Sequence, residues 1–270
     1  NTSDVAYSLA STRAAFTARA VVIGSDRDQL LAGLRALASG VESIDTVTGR
    51  AGHPSRPVFV FSGHGAQWAG MATQLLGASP VFDEHMRLCD SVLGEFVDWS
   101  LLDVLHGVDG APELDRLDVV QPALFAVMVS LARMWAELGV TPAAVIGHSQ
   151  GEIVAAHIAG ALSLRDAIGL MARRGRSLVT LSDTGAMATV ALSADDTRAR
   201  IAPWSPALEI GAVNGPTSTV VSGDAAAIDE LLSTCEADGV RARRVAIRYA
   251  SHSRHIDSVR EDLDSAFGDV

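Results

Sequence analysis

The chain has 270 residues, 48% of them hydrophobic, with 24 glycines and 9 prolines, which suits one sizeable globular domain of one or two subdomains. Its formal net charge is −11 and all 21 basic residues are arginine, so the basic footprint of a nucleic-acid binder is missing. Two cysteines, Cys89 and Cys235, make no disulfide framework, and no run of about 18 uninterrupted apolar residues predicts a membrane span, so a cytoplasmic setting is expected. There is no signal peptide and no initiating Met, so the chain reads as a piece of a longer polypeptide.

Residues 4–13 read as weakly helical. Residues 18–24, ARAVVIG, read as a strand. Ser25-Asp26-Arg27-Asp28 then opens a helix with spacing close to a capping box, and Leu30, Leu31, Leu34 and Leu37 form its apolar face. Residues 40–56, rich in Gly, Thr and Ser and holding His53, read as linker. PVFVFSG, residues 57–63, predicts a strand buried on both faces, followed by a helix after GHGAQWAGM. A buried helix is expected from Gln121, with Pro122 at its first position and Gly139 as its stop. Residues 143–147, AAVIG, form the next strand. A helix follows Ser149, and Ser163 caps another running to about Leu181. The texture then changes to strand 187–192, helix 193–204, strands 208–215 and 218–224, a helix, and strand 240–247. That βαββαβ order is a split ferredoxin-like unit. From His255 the chain turns helical again, with Ile256, Val259, Leu263 and Phe267 at helical spacing.

The chemistry gathers at Gly147-His148-Ser149-Gln150-Gly151. A strand–GxSxG–helix junction forces a tight turn, and its two glycines remove side chains that would clash where strand and helix cross. The serine is left exposed at the carboxyl end of the sheet. The amide of Gln150 and the helix N-terminus beside it favour an oxyanion. A serine hydroxyl needs a base. His148 adjoins it but points away. His157 sits among apolar residues as a packing histidine, and His53, His85 and His106 read as solvated. His252 and its rival His255 both follow a strand, and spacing alone does not separate them.

VFVFSGHGAQWAGM, RLDVVQPALF, GHSQGEIVAAHIAGALSL, AVNGPTSTVVSG and YASHS occur in that order. Together they resemble the acyltransferase domain of modular type I polyketide synthases, related to the malonyl-CoA:acyl-carrier-protein transacylases. The resemblance covers nearly the whole chain. It implies an α/β fold, in which an α/β-hydrolase-like large subdomain with a parallel sheet and a nucleophile elbow carries an inserted ferredoxin-like small subdomain. Residues 1–50 would be the end of a ketosynthase-to-acyltransferase linker and 57–185 the first part of the large subdomain. Residues 186–247 would be the small subdomain and 248–270 a return to the large one. The family also has later motifs resembling STVTG and RQPV, absent from the sequence up to Val270. A backbone carbonyl from that later region orients the family's histidine, so residues 1–270 alone are expected to hold His252 poorly and to transfer slowly.

The same resemblance assigns roles. Ser149 is the nucleophile and His252, not His255, the general base. The oxyanion hole is made by the backbone N–H groups of Gln150 and His64. His64 stands where the family usually has glutamine, a change that a backbone donor tolerates. Arg174, 25 positions after Ser149, pairs with the free carboxylate of the acyl unit, and a guanidinium fork suits a carboxylate. Arg173 and Arg176 read as a solvated helix face or a carrier-protein contact. Gln121 lines the pocket near that carboxylate. Tyr249 and Ser251 of YASH, Gln150 and the RLDVVQ stretch point to methylmalonyl rather than malonyl. One methyl is worth only about 1–3 kcal/mol, so ethylmalonyl stays an alternative. The substrate would be methylmalonyl-CoA. The partners would be an acyl carrier protein with its phosphopantetheine arm and a neighbouring ketosynthase, as in antibiotic biosynthesis. No tightly bound cofactor, metal, nucleic acid or membrane is implied. The rival reading is a serine hydrolase or thioesterase, which needs an acidic residue in the order Ser…Asp…His. Asp183, Asp224 and Asp229 fit that order.

Overall fold

The computed structural model describes residues 1–52 and 56–268, so the expectation for His53 lies outside the described residues. The chain divides into two compact units, Asn1–Arg56 and Pro57–Val270.

In the first unit, helix α1 (Thr2–Thr12) precedes strand β1 (Ala18–Val22), helix α2 (Arg27–Ser39) and strand β2 (Thr46–Arg50). Strands β1 and β2 pair antiparallel, Ala18 opposite Arg50. Asp26, one residue later than the sequence spacing suggests, caps α2 by accepting from the Gln29 amide, and the Gln29 side chain accepts from the Ser25 amide instead of closing a capping box. Gly33 lets α2 lie on β1, because a Cβ there would stand 2.5 Å from Val22. The linker expected over 40–56 is corrected in part. The β-branched Thr46, Val47 and Thr48 extend and find a partner strand in β1.

The second unit begins with β3 (Val58–Phe61), followed by α3 (Thr73–Ala78), α4 (Pro80–Leu93), α5 (Leu101–His106), α6 (Leu117–Glu137), β4 (Ala144–Gly147), α7 (Gly151–Ile158) and α8 (Leu164–Val179). Strands β3 and β4 pair in parallel, with Phe61 beside Gly147. Helix α6 is the centre of the core, with Val120, Phe125 and Val129 against Phe82 and Met86 of α4 and Met171 of α8. It is long and apolar enough to cross a membrane by composition, but most of it is buried inside the unit. Two expectations are corrected here. α6 starts at Leu117, not Gln121, because burial of Leu117, Val119 and Val120 carries the helix upstream and leaves Pro122 inside it. β3 is not buried on both faces. Phe59 and Phe61 pack inward, while Val58, Val60 and Ile146 of β4 are at least half exposed, because among the described residues β3 and β4 pair only with each other.

Strand β5 (Ala186–Val190), α9 (Ala194–Ile201), β6 (Leu208–Gly215), β7 (Ser218–Gly223), α10 (Ala225–Ala237) and β8 (Ala242–Arg244) follow. Their sheet runs β6-β7-β5-β8, antiparallel throughout, which is the ferredoxin-like arrangement expected. Ala188 and Val221 of its inner face pack with Ile228 and Leu231 of α10. β8 is shorter than the expected 240–247. Val245 still donates to Met187, but Ile247 then bonds back to Val245 and the chain turns away. A 3₁₀ turn (Arg254–Val259) and α11 (Arg260–Phe267) close the described chain.

The elbow between β4 and α7 depends on its glycines. A Cβ at Gly147 would lie 2.3 Å from the Glu152 backbone, and one at Gly151 would lie 2.3 Å from the Phe61 carbonyl. Neither obstacle is the end of a flexible side chain, so the backbone itself must shift. Gly151→Ala is expected to cost about 1–3 kcal/mol or more, read as a lowered urea midpoint with unchanged slope. An unchanged midpoint would show that the strand–helix crossing relaxes freely.

Candidate active site

β4 ends at Gly147, α7 starts at Gly151, and Ser149 between them sits at φ +54. A non-glycine residue in the left-handed region is uncommon, and here the turn requires it. The turn after β3 presses against this elbow: a Cβ on Gly63 would meet Ser149 Cβ at 3.3 Å and the His148 carbonyl oxygen at 3.1 Å. The backbone at Gly63 therefore stands beside the serine. His148 bonds elsewhere, with its Nε2 3.0 Å from Asn214 Oδ1 on β6.

His252 Nε2 lies 3.0 Å from Ser149 Oγ. His252 is also at a positive φ, +57. Desolvation holds its pKa below the ordinary 6.5, helped by the Arg174 charge and His148, so the ring is neutral near pH 7. His255, the rival, is turned away and bonds Asp224 Oδ1 at 2.8 Å. The three acidic residues expected of a hydrolase triad are engaged elsewhere. Asp183 pairs with Arg248, Asp229 with Arg244, and Asp224 with Arg254 and His255. Among the described residues, no carboxylate is hydrogen-bonded to His252.

Arg174 projects from α8 and donates to the side-chain oxygen of Gln121, which is fully buried on α6. The Nε2 of that glutamine is buried without a partner. Arg174, Ser251 and His252 line one cleft of about 550 Å³ with Glu209, Ile210 and Arg254. Ser251 is buried, and its neighbour Tyr249 packs in a small core cluster with Leu117, Leu178 and Val259. Gln150 is buried and its side-chain amide has no partner. Among the described residues, no group of three or more His, Cys, Asp or Glu is placed to hold a metal.

Two expectations about other side chains are corrected. His85 is not solvated: its Nδ1 lies 2.9 Å from Ser130 Oγ beside α6, and burial lowers its pKa. Arg173 and Arg176 are not a bare solvated face. Arg173 lies over the Phe96 ring, and Arg176 donates to the Phe96 carbonyl at 2.6 Å. His157 is a packing histidine as expected, with Nδ1 3.0 Å from the Leu162 carbonyl. The contacts of Asn214, Asp224 and Glu209 were not foreseen. An isolated polar residue in or beside a strand carries no sequence sign of its distant partner.

His64 is largely buried, and its Nδ1 has no partner. Desolvation, and then the charge of Arg174, pull its pKa down to about 4 from 6.5. Because the folded pKa lies below the unfolded one, the unfolded chain binds the extra proton first. Stability is therefore full above pH 6.5 and is lost as pH falls toward 4, by on the order of 2–3 kcal/mol from this group. His64→Gln is expected to reduce the difference between urea midpoints at pH 7 and pH 4.5. An unaltered difference would remove His64 as its source.

A family model described as the acyl transferase domain matches residues 58–270. The chain belongs to the acyl transferase domain family. A polyketide synthase, GfsB of Streptomyces halstedii, is 51% identical over 267 residues, which cover 99% of this chain and 5% of that protein. The acyl transferase chain therefore spans about one twentieth of that relative's length. The acyltransferase domain from module 8 of the salinomycin polyketide synthase superposes with a TM-score of 0.91 at 51% identity, covering 98% of this chain and 63% of that one. The malonyl CoA-acyl carrier protein transacylase of Coxiella burnetii superposes with a TM-score of 0.72 at 27% identity, covering 80% and 69%. The fold of this acyl transferase chain is thus the α/β-hydrolase-like large subdomain with a ferredoxin-like small one.

Proposed function

We propose that the chain loads a methylmalonyl unit from CoA onto the phosphopantetheine thiol of an acyl carrier protein, through an acyl-serine at Ser149. The observation that carries this reading is the 3.0 Å contact between Ser149 Oγ and His252 Nε2, with His252 lining a cleft that Arg174 also lines. Neutral His252 takes the hydroxyl proton as Ser149 Oγ attacks the thioester carbonyl. The negative charge that develops on the carbonyl oxygen is met by the backbone N–H groups of Gln150 and His64. The tetrahedral intermediate collapses and the C–S bond breaks. His252 returns its proton to the departing CoA thiolate. In the second half, His252 takes the proton of the carrier thiol, which attacks the acyl-serine. The proton then passes back to Ser149 Oγ as the C–O bond breaks. The thioester itself supplies the activation, so the cycle runs without metal or redox chemistry.

Arg174 binds the free carboxylate of the acyl unit, exchanging the neutral Gln121 oxygen for a charged acceptor. Ser251, where the sequence resemblance puts a bulky Phe in malonyl-selective relatives, leaves room for an α-methyl group. In a polyketide synthase the chain would work beside a ketosynthase, in the cytoplasm, with residues 1–50 as the linker between them. Transfer fits the site better than hydrolysis, because a carboxylate-binding arginine serves a malonyl-type acyl group and a triad acid is lacking among the described residues. Competition between methylmalonyl-, malonyl- and ethylmalonyl-CoA for one limiting amount of protein tests the specificity. Methylmalonyl-serine should dominate, whereas a dominant malonyl-serine would overturn the assignment.

A further inference from the structure

His252 lies on the loop between β8 and the 3₁₀ turn, far along the chain from Ser149. The loop holding it, residues 249–255, packs Tyr249 against Leu117 and Leu178, while its polar ties run to β6, β7 and the residue that follows β7. Ser222 Oγ of β7 donates to the Ser251 carbonyl in a buried contact. Glu209 of β6 accepts from the Arg254 amide at 2.7 Å. Gly211 of β6 lies beside this loop, since a Cβ there would be in ordinary contact with His252 Cβ and the Ser251 carbonyl oxygen, both at 3.6 Å. Asp224 makes a further polar tie. Its carboxylate takes Arg254 at 3.2 and 3.3 Å and His255 Nε2 at 2.8 Å, so one side chain grips both residues that follow the His252–Ser253 turn.

Asp224 also occupies the N-cap of α10, where an aspartate normally accepts from the helix's own amides. It makes no such bond here. The other helices capped by Asp26, Ser79, Ser100, Ser163 and Ser193 do make it. The Asp224 carboxylate is turned away from the helix it should cap and toward the loop of His252. Its pKa lies below the usual carboxylate value, with the bond to His255 as the first cause, so it is ionised across the neutral range.

We propose that Asp224 is a positioning residue for His252, clamping Arg254 and His255 so that the His252 backbone keeps its φ of +57 and the ring stays within reach of Ser149. The inference rests on reading His252 as the base. A loose loop would leave the imidazole spending less time at hydrogen-bond distance from Oγ. The rate of proton removal would then fall without any change in the groups that bind the acyl carboxylate.

The test is the rate at which Ser149 is phosphonylated by a simple fluorophosphonate, which depends on the base and not on the acyl pocket, together with kcat and KM for methylmalonyl-CoA. Variants are Asp224→Ala, Asp224→Ser and Asp224→Glu. Serine caps a helix as well as aspartate does, so Asp224→Ser preserves any capping role and removes the clamp. Asp224→Ser and Asp224→Ala are both expected to slow phosphonylation and kcat by about tenfold or more, a fraction of what a positioned base provides. KM should stay within about twofold, and Asp224→Glu should restore part of the rate. Asp224→Ser at the wild-type rate would overturn the proposal. So would a slowing in Asp224→Ala alone that follows a lowered melting temperature. A wild-type serine that ignores the reagent, or one whose rate is indifferent to His252→Ala, would instead sink the reading of His252 as base, and the clamp with it.

Discussion

Replacing His252 with alanine is expected to slow acylation of Ser149 by about two to four orders of magnitude while the protein remains folded. The loss has one origin. At pH 7 a serine hydroxyl is a weak nucleophile, and the Nε2 at 3.0 Å is the group that would accept its proton. His252 lies at the edge of a cleft and not in a core cluster, so its removal leaves packing intact. The pH dependence carries a sign. Desolvation and the charge of Arg174 both disfavour the imidazolium, so the pKa governing acylation in the wild type should lie below 6.5. The rate should climb through that pKa and reach its plateau near neutrality. His252→Ala should lose that inflection, which a stopped-flow or quench-flow pH series would record. If the inflection persisted in His252→Ala, another group would be the base.

Arg174→Ala is expected to reduce loading of carboxylated acyl units by about a hundredfold or more, as for truncating one partner of a buried charge pair at about 2–5 kcal/mol. An uncharged unit such as propionyl from propionyl-CoA should be loaded at close to the wild-type rate, so the preference for the charged unit collapses. The direction follows from the side chain that faces Arg174. Arg174 is held against Gln121, a neutral side chain that is fully buried and has an unpartnered Nε2. An incoming carboxylate offers the guanidinium two charged acceptors where Gln121 offers one neutral oxygen. Arg174→Lys should recover only part of the loss, because an ammonium lacks the planar fork. The measurement is the ratio of kcat/KM for methylmalonyl-CoA to that for propionyl-CoA. An unchanged ratio in Arg174→Ala would remove the arginine from the acyl site.

Much of this site is legible in the residues, and the reasons differ from place to place. The elbow at Gly147–Gly151 is readable because a serine between two glycines has few other uses where a strand meets a helix. The structure shows why each glycine is needed, with backbone 2.3 Å from both missing Cβ atoms. The ferredoxin-like unit is readable because its strands and helices alternate cleanly. What escapes is whatever depends on distant packing. Residues around Leu117 give no start signal stronger than Pro122, yet burial of Leu117 and Val120 begins the helix there. Thr46–Arg50 looks like linker until β1 lies beside it. His252 and His255 are three residues apart and equally plausible by spacing. They part only because the chain turns at Ser253, sending one to Ser149 and the other to Asp224. His85 reads as polar surface, but on α4 it faces Ser130 of the core helix.

The account's central claim is that Ser149 carries the acyl group in transit. Intact-protein mass after brief incubation with methylmalonyl-CoA, run beside Ser149→Ala, tests it most directly. The account predicts one methylmalonyl adduct on the wild type, none on Ser149→Ala, and its discharge when a carrier protein bearing phosphopantetheine is added. An adduct that survives in Ser149→Ala, or a wild-type serine that stays unmodified while the thioester is hydrolysed, would contradict it.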